Sequence, residues 1–238
     1  MPIIPFPASV EQWRSLLTDM APDLPTDFLL AWIKEESGGN VCATGLTLAD
    51  KFEGGLFQTM HPQDDKYGAT ISQLRAGCSG QTLVDPSSVD AQLQARVGIN
   101  MVRDYMGRAM AALTASGVQW PIDSTDFWTA VKQVHALPCV LTSVLPSVVR
   151  RFGPPANWAE FRNNAMRLSP AETGACQGFF NSPSLHGLRN RLEDTMANAE
   201  EAGKFGGGVR AEIAKLGSAG PVLLLGATAT LLYLLWRR

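Results

Sequence analysis

The sequence predicts a mainly α-helical fold, and three observations carry that prediction. Between residues 87 and 113 an apolar residue recurs at every fourth position, as Val89, Leu93 and Val97 do, so that one face of a helix is apolar. Polar capping residues precede several apolar runs, and Gly or Pro follows them, as at the ends of helices. Runs that alternate apolar with polar residues, the pattern of half-buried strands, are short and scattered.

Six helices are expected in chain order within residues 1–168, which the chain length allows to form one domain. Ser9 and Gln12 form a capping-box pattern at the start of the first helix, and Thr26 and Asp27 begin the second. The expected helices cover residues 9–20, 26–37, 87–113, 124–135, 140–152 and 158–168.

The C-terminal part of the chain differs in composition. Residues 169–215 are expected to form a linker that contains a polar helix over 187–204. From 216 to 236 there is no charged residue, and at 1.5 Å per residue these 21 positions span roughly 30 Å, the thickness of a bilayer core. Tyr233 and Trp236 lie at one end, where aromatic rings favour the membrane interface. We expect a single-pass transmembrane helix at 216–236, the alternative being a buried core helix.

Composition excludes several kinds of partner. The 20 basic and 22 acidic residues give a net charge of −2, which offers no basic field for a nucleic acid. The three histidines, His61, His135 and His186, lie far apart, and no zinc-binding motif is present. We therefore expect neither nucleic acid nor a metal or other cofactor.

The four cysteines allow three pairings. Cys42 and Cys78 flank one segment of the domain, while Cys139 and Cys176 flank its end, so these two pairs are the simplest expectation. Reduced, buried thiols are the alternative. Disulfides would indicate an oxidising compartment.

A candidate catalytic carboxyl ends the second expected helix. Glu36 follows the apolar Trp32 and Ile33 and precedes Ser37 and two glycines. The negative end of the helix dipole and poor solvation both disfavour a charged carboxylate there, so we expect a raised pKa suited to a general acid. From the residues alone, an exposed Glu before a glycine helix cap is the more common interpretation.

Two segments carry a family resemblance. Glu-Ser-Gly-Gly-Asn at residues 36–40 is followed by Gly-Leu-Phe-Gln at residues 55–58. This pair resembles the lytic transglycosylases of the lysozyme superfamily, and the resemblance extends over residues 25–140. It implies a lysozyme-like α-helical domain in which Glu36 is the single catalytic acid and base. Glu35 precedes the motif residue Glu36 by one position. In a helix this one-residue shift turns the Glu35 side chain about 100° away from that of Glu36.

The resemblance also implies roles for neighbouring residues. Ser37, Phe57 and Gln58 are expected to line the saccharide groove. Gly98 matches a glycine that lets its helix approach the catalytic one. Many family members have Ala-Tyr-Asn-Ala-Gly after the next helix, whereas this chain has Val-His-Ala-Leu-Pro at residues 134–138.

The departure from that pattern puts Val134 in the place of the tyrosine and His135 in the place of the asparagine. His135 is expected to provide a polar contact to the catalytic acid or to the sugar. The alternative is a histidine that the dipole favours at a helix C-terminus.

The implied reaction is cleavage of the β-1,4 bond between N-acetylmuramic acid and N-acetylglucosamine in peptidoglycan, with a 1,6-anhydromuramic acid product. A lytic transglycosylase needs no second carboxylate, unlike most glycosidases. Two alternatives stay open: a hydrolytic lysozyme, and a non-catalytic saccharide-binding membrane or virion protein. A hydrolase would need a second carboxylate, and the candidates are Asp50, Glu53, Asp64 and Asp65. None of them lies at a distance in sequence from Glu36 that supports this role.

The chain termini suggest a setting for this activity. Prolines interrupt residues 1–7, and no basic region precedes an apolar stretch, so no secretory signal is expected there. A phage particle could deliver such a protein, in its internal membrane or entry apparatus, to the host periplasm during entry. A secretion-system enzyme is the alternative. The expected partners are peptidoglycan glycan strands, the membrane, and virion or secretion-complex proteins.

Removal of residues 216–238 tests the membrane anchor. The truncated protein should move from the membrane fraction to the soluble fraction, because the only long uncharged segment is lost. Fractionation by ultracentrifugation measures this. Full-length protein that is already monodisperse without detergent would contradict the anchor.

Overall fold

The computed structural model describes residues 6–44, 52–61, 67–176 and 188–206, and within them the chain is mainly α-helical, as predicted. The helices are α1 (Ala8–Glu11), α2 (Arg14–Met20), α3 (Thr26–Glu36), α4 (Ile71–Leu74), α5 (Ala91–Ala115), α6 (Thr125–Ala136), α7 (Leu145–Phe152), α8 (Trp158–Ala165) and α9 (Leu188–Gly203). The strands are β1 (Phe52–Gly54), β2 (Thr59–His61), β3 (Cys78–Ser79) and β4 (Thr82–Leu83).

Capping side chains explain where the long helices begin. The Asp90 carboxylate accepts a hydrogen bond from the amide of Leu93 at the start of α5, and the Ser124 hydroxyl accepts one from Phe127 at the start of α6. Each satisfies an amide that has no partner within its helix. The sequence signals at these starts are therefore confirmed to within a few residues.

Two predicted helices differ from the observed ones. The first divides into α1 and α2, and the capping box is wrong: the helix begins at Ala8, and the Gln12 amide donates to the Ser9 carbonyl instead. The fifth opens with a π-helical turn, Val140–Val144, before α7. Pro146 near the start of α7 has no amide hydrogen, so the regular ladder cannot run through this position.

Two short antiparallel hairpins interrupt the helical pattern. Strand β1 pairs with β2, with Phe52 opposite His61, and β3 pairs with β4, with Cys78 opposite Leu83. The strands are two or three residues long, too short for an alternating pattern to predict them.

The core lies where α3, α5 and α6 meet. The Phe28 ring packs against the Trp128 ring with centroids 4.9 Å apart, and edge-on against Trp32 at 5.6 Å. All three side chains are almost fully buried. This aromatic cluster holds α3 against α6, which brings the C-terminal ends of both helices together.

Gly98 allows a close approach within this core. It lies on the buried face of α5, and a Cβ at this position would overlap the Phe57 ring. The close contact at Gly98 is with Phe57, so the expected approach to the helix that carries Glu36 is not what this glycine makes room for.

The compact unit continues beyond the boundary predicted at residue 168. In α9, Ala199 and Ala202 are buried, and a Cβ at Gly203 would overlap Thr129 of α6. Small residues let α9 lie directly on α6, so this helix belongs to the domain and not to a linker. The described residues, from 6 to 206, all belong to one compact unit.

Both predicted cysteine pairs are present as disulfides. Cys42–Cys78 joins the segment after α3 to β3, and Cys139–Cys176 joins the end of α6 to the turn Pro170–Cys176. The bonds close loops of 36 and 37 residues, each of which stabilises the fold by about 4 kcal/mol in the chain-entropy model.

Among the helices that the structure describes, none combines the length and the apolar character of a membrane span. The anchor predicted at 216–236 lies outside the described residues, as do residues 177–187 and 207–215 of the predicted linker.

Two glycines on α5 provide a matched test of the packing at Phe57. Gly98→Ala should lower the free energy of unfolding by about 1–3 kcal/mol, because its Cβ overlaps the ring. Gly107→Ala adds the same methyl group where nothing lies within 4 Å, and should be neutral or stabilise by up to about 1 kcal/mol. Urea unfolding followed by circular dichroism measures both. Equal effects would show that the ring does not limit this position.

Candidate active site

Glu36 and Lys132 meet at the ends of two packed helices. Glu36 is four residues after Trp32 on α3, so its side chain follows the same buried face one turn further on. Lys132 and His135 are three residues apart on α6 and share its face. Because the aromatic core holds α3 on α6, all three polar side chains reach one place.

A buried ion pair forms the centre of the site. The Lys132 ammonium donates to Oε1 of Glu36, and only 3% of the lysine side chain is exposed. The Trp32 ring centroid lies 4.3 Å from Nζ, which adds a cation–π contact. Oε2 of Glu35 lies 3.9 Å from the same Nζ. One ammonium therefore faces two carboxylates.

His135 contacts the same carboxylate oxygen. Its Nε2 donates to Oε1 of Glu36 at 3.2 Å, and 7% of its side chain is exposed. Burial and the neighbouring Lys132 charge lower the pKa of His135, so the imidazole is neutral. Nδ1 is then a bare acceptor, buried and without a hydrogen-bond partner among the described residues. The sequence-based expectation of a contact between His135 and the acid is met.

The charge state of Glu36 differs from the expectation. Burial raises its pKa, but the Lys132 charge and the hydrogen bond from His135 outweigh burial and lower the pKa to about 2. The predicted raised pKa is wrong, because the sequence argument counted the helix end and the apolar neighbours and missed the lysine. Glu36 is ionised at neutral pH, a state that accepts a proton or stabilises a cation.

The pKa of Glu35 is shifted in the opposite direction from that of Glu36. Burial raises its pKa to about 7, and the Lys132 charge only partly opposes this shift. The charges of Glu36 and Glu201 raise it further. The two adjacent carboxyls thus have pKa values shifted in opposite directions, a feature that is common at functional sites.

Ser37 joins the two motif segments. Its hydroxyl donates to the carbonyl oxygen of Leu56 at 2.7 Å and also accepts from the amide of Gly39 at 3.2 Å. It therefore holds the end of α3 against the turn at residues 55–58. Its observed contacts are structural, and its predicted contact with a saccharide stays a prediction.

Phe57 and Gln58 support this turn from within. The Phe57 ring is 1% exposed, and Gln58 is 3% exposed. The Gln58 amide nitrogen donates to the carbonyls of Ala43 and Gly55 at 2.8 and 2.9 Å, and its backbone has a positive φ of 48°. These side chains position the turn; in this conformation they do not line an open groove, as the resemblance had implied.

Tyr105 stands beside the cluster. Its ring lies 5.7 Å from that of His135 and stacks at 6.2 Å on Trp32. Burial raises the pKa of Tyr105, and the Glu36 charge adds to this effect. A tyrosine from α5 is thus close to the carboxylate, although Val134 occupies the position where the resemblance expects one.

Sequence reasoning missed two residues of this site. Lys132 was visible as a single cation in a run of buried positions on α6, which is unusual without a partner. Gln94 was also missed: its Oε1 accepts from the Leu56 amide at 2.9 Å, which ties the turn to α5. Asp50, Asp64 and Asp65 lie outside the described residues, as does the side chain of Glu53.

The described part of the chain offers no group of three or more metal-ligating side chains.

A cavity of about 430 Å³ lies between α5 and α7, lined by residues such as Ala112, Leu141 and Arg150. It contains none of the residues around Glu36. The polar cluster around Glu36 is therefore separate from this cavity.

Comparison with known proteins identifies no relative. The sequence matches no protein family, and neither the curated proteins nor the solved structures include a significant match. Function is therefore inferred from the residues and their geometry.

Lys132→Met tests the origin of the Glu36 charge. The variant keeps most of the apolar stem but removes the ammonium, so the pKa of Glu36 should rise from about 2, and that of Glu35 should rise from about 7. Carboxyl ¹³C NMR titration measures both. Lys34→Met, an exposed lysine on α3, is the matched control and should shift them much less. A Glu36 pKa unchanged in Lys132→Met would refute this origin.

Proposed function

We propose that this protein is a lytic transglycosylase that cleaves the bond between N-acetylmuramic acid and N-acetylglucosamine in peptidoglycan. The observation that carries the proposal is the hydrogen bond between Ser37 and Leu56, 2.7 Å long. It brings the two segments of the family resemblance, 19 residues apart, into direct contact beside Glu36. This contact between the two segments supports the proposal.

Glu36 is the proposed catalytic group. Its carboxylate is 22% exposed, so it is accessible from solvent although its surroundings are aromatic. An anion there stabilises the positive charge that develops on the sugar as the glycosidic bond breaks. The acetamido group of the substrate can also assist by forming an oxazolinium ion.

The ionised state of Glu36 suits the ring-closing half of the reaction. The C6 hydroxyl oxygen of the muramic residue forms a bond to C1, and its proton passes to the Glu36 carboxylate. The glycosidic C1–O bond breaks, and its electron pair leaves with the oxygen of the next sugar. That oxygen needs a proton, and no water is consumed, so the product carries a 1,6-anhydro ring.

The disulfides and the uncharged C-terminal segment suggest the compartment in which the protein acts. Both disulfides fit an oxidising compartment, such as the periplasm in which peptidoglycan lies. We propose that residues 216–236 anchor the protein to a membrane, and that it opens the wall locally during phage entry as part of a virion.

Glu36→Gln tests the catalytic role. The change removes the ionisable group but keeps the shape, so the rate of peptidoglycan cleavage should fall by at least 10²–10⁴-fold, on the order expected for acid–base catalysis. Muropeptide mass spectrometry should show anhydromuramic ends in the wild-type digest. Glu11→Gln, at a surface carboxylate of α1 paired with Arg14, is the control and should retain activity.

Three outcomes would contradict this assignment. Reducing ends in the products, each heavier by one water, would identify a hydrolytic lysozyme. Peptidoglycan binding without cleavage by the wild type would identify a binding module. Full activity in Glu36→Gln would place the chemistry elsewhere.

A further inference from the structure

Two donors from α6 converge on one oxygen of the Glu36 carboxylate. The Lys132 ammonium donates to Oε1, and Nε2 of His135 lies 3.2 Å from the same atom. The two side chains are 3% and 7% exposed, so they reach Oε1 from inside the protein. Because a carboxylate oxygen accepts about two hydrogen bonds, Oε1 is fully engaged.

The other oxygen of Glu36, Oε2, is free. It accepts no hydrogen bond from the residues that the structure describes. Six buried side-chain nitrogens and oxygens lack a partner in the same part of the chain, and Oε2 is not one of them. An oxygen that is neither bonded nor buried is accessible to solvent, and this agrees with the 22% exposure of the side chain. A substrate can therefore meet Glu36 at Oε2.

The imidazole of His135 is held in one orientation. Its centroid lies 5.0 Å from that of the Trp32 ring and 5.7 Å from that of the Tyr105 ring. Nδ1 is buried without a described hydrogen-bond partner, so the contact with Glu36 selects which ring nitrogen carries the proton. With the proton on Nε2 the ring donates to Oε1, whereas a proton on Nδ1 would leave two lone pairs facing each other.

We propose that Oε2 of Glu36 is the oxygen that gives and takes the proton in the reaction, and that His135 is a positioning residue that holds Oε1 in place. This inference rests on the proposed transglycosylase function. A proton on Oε1 would point at the N–H groups of Lys132 and His135, so the protonated carboxyl carries it on Oε2. The neutral carbonyl Oε1 can still accept from both donors.

One carboxyl then serves both halves of the reaction through one atom. Oε2 first takes up a proton from solvent. The Oε2–H bond breaks as the proton joins the leaving glycosidic oxygen, which takes the electrons of its bond to C1, and the acetamido oxygen of the substrate bonds to C1. The C6 oxygen next bonds to C1 as the acetamido oxygen leaves, and the C6 hydroxyl proton returns to Oε2.

Two amide variants at one position test the positioning role. Gln places its side-chain nitrogen as many bonds from Cα as Nε2 of histidine, whereas Asn is one bond shorter. Full-length wild type, His135→Gln and His135→Asn are assayed on soluble glycan strands from peptidoglycan, and kcat and KM are measured from the release of anhydromuramic ends. Lys34→Gln, at an exposed position of α3, is the control and should behave as wild type.

His135→Asn should lower kcat by about 10–10²-fold, the effect of losing one hydrogen bond to a charged group. Its KM should stay near the wild-type value, because His135 contacts Glu36 and not the sugar, and an unchanged KM also shows that the variant is folded. His135→Gln should restore kcat to near wild type, since its amide reaches Oε1.

Three kinetic outcomes would overturn the proposal. An unchanged kcat in His135→Asn would show that the hydrogen bond does not position Glu36. Equal losses in the two amide variants would show that the imidazole only fills space. A raised KM with an unchanged kcat would show that His135 contacts the substrate.

Imidazole ¹⁵N NMR separates a failure of this contact from a failure of the proposed function. The neutral His135 ring should carry its proton on Nε2 and none on Nδ1, with the signal assigned by its loss in His135→Gln. A proton on Nδ1 would overturn the positioning role even in an active enzyme. A wild type with the expected ring signal that releases no anhydromuramic ends would contradict the transglycosylase function, and with it the reaction at Oε2.

Discussion

The ion pair between Lys132 and Glu36 is the constraint on which the site depends. A buried ammonium is costly unless an anion accepts a hydrogen bond from it. The helices α3 and α6 must therefore pack so that Glu36 lies next to Lys132. The Trp32 ring lies 4.3 Å from Nζ and His135 lies beside the carboxylate, so the ammonium is buried while Glu36 stays partly exposed. The Lys132 charge lowers the pKa of Glu36, and the Glu36 carboxylate contacts His135.

The turn at residues 55–58 is held against this pair by polar side chains from three directions. Ser37 binds it from the end of α3, Gln94 binds it from α5, and Gln58 binds it from inside. Phe57 then packs on Gly98, where only a glycine leaves room. The contacts observed for the motif at residues 55–58 are therefore mainly structural: they join this turn to the end of α3 beside the Glu36 carboxylate.

Local signals predicted the elements that depend on local interactions. The start of α6 follows from the Ser124 hydroxyl that caps it, and the end of α3 follows from the glycines after Ser37. The two hairpins were not predicted, because their strands are two or three residues long and leave no periodic pattern. The role of α9 was missed because its polar composition suggested a linker, whereas its small residues fit against α6.

The sequence by itself determined the helical class and most helix starts, and it indicated Glu36 as the residue of interest. These follow from capping, periodicity and short motifs, which are properties of neighbouring residues. Only the tertiary structure decided the charge on Glu36 and its contact with Lys132. A carboxyl pKa depends on every charge within a few ångströms, and the decisive charge, Lys132, lies 96 residues away in the chain.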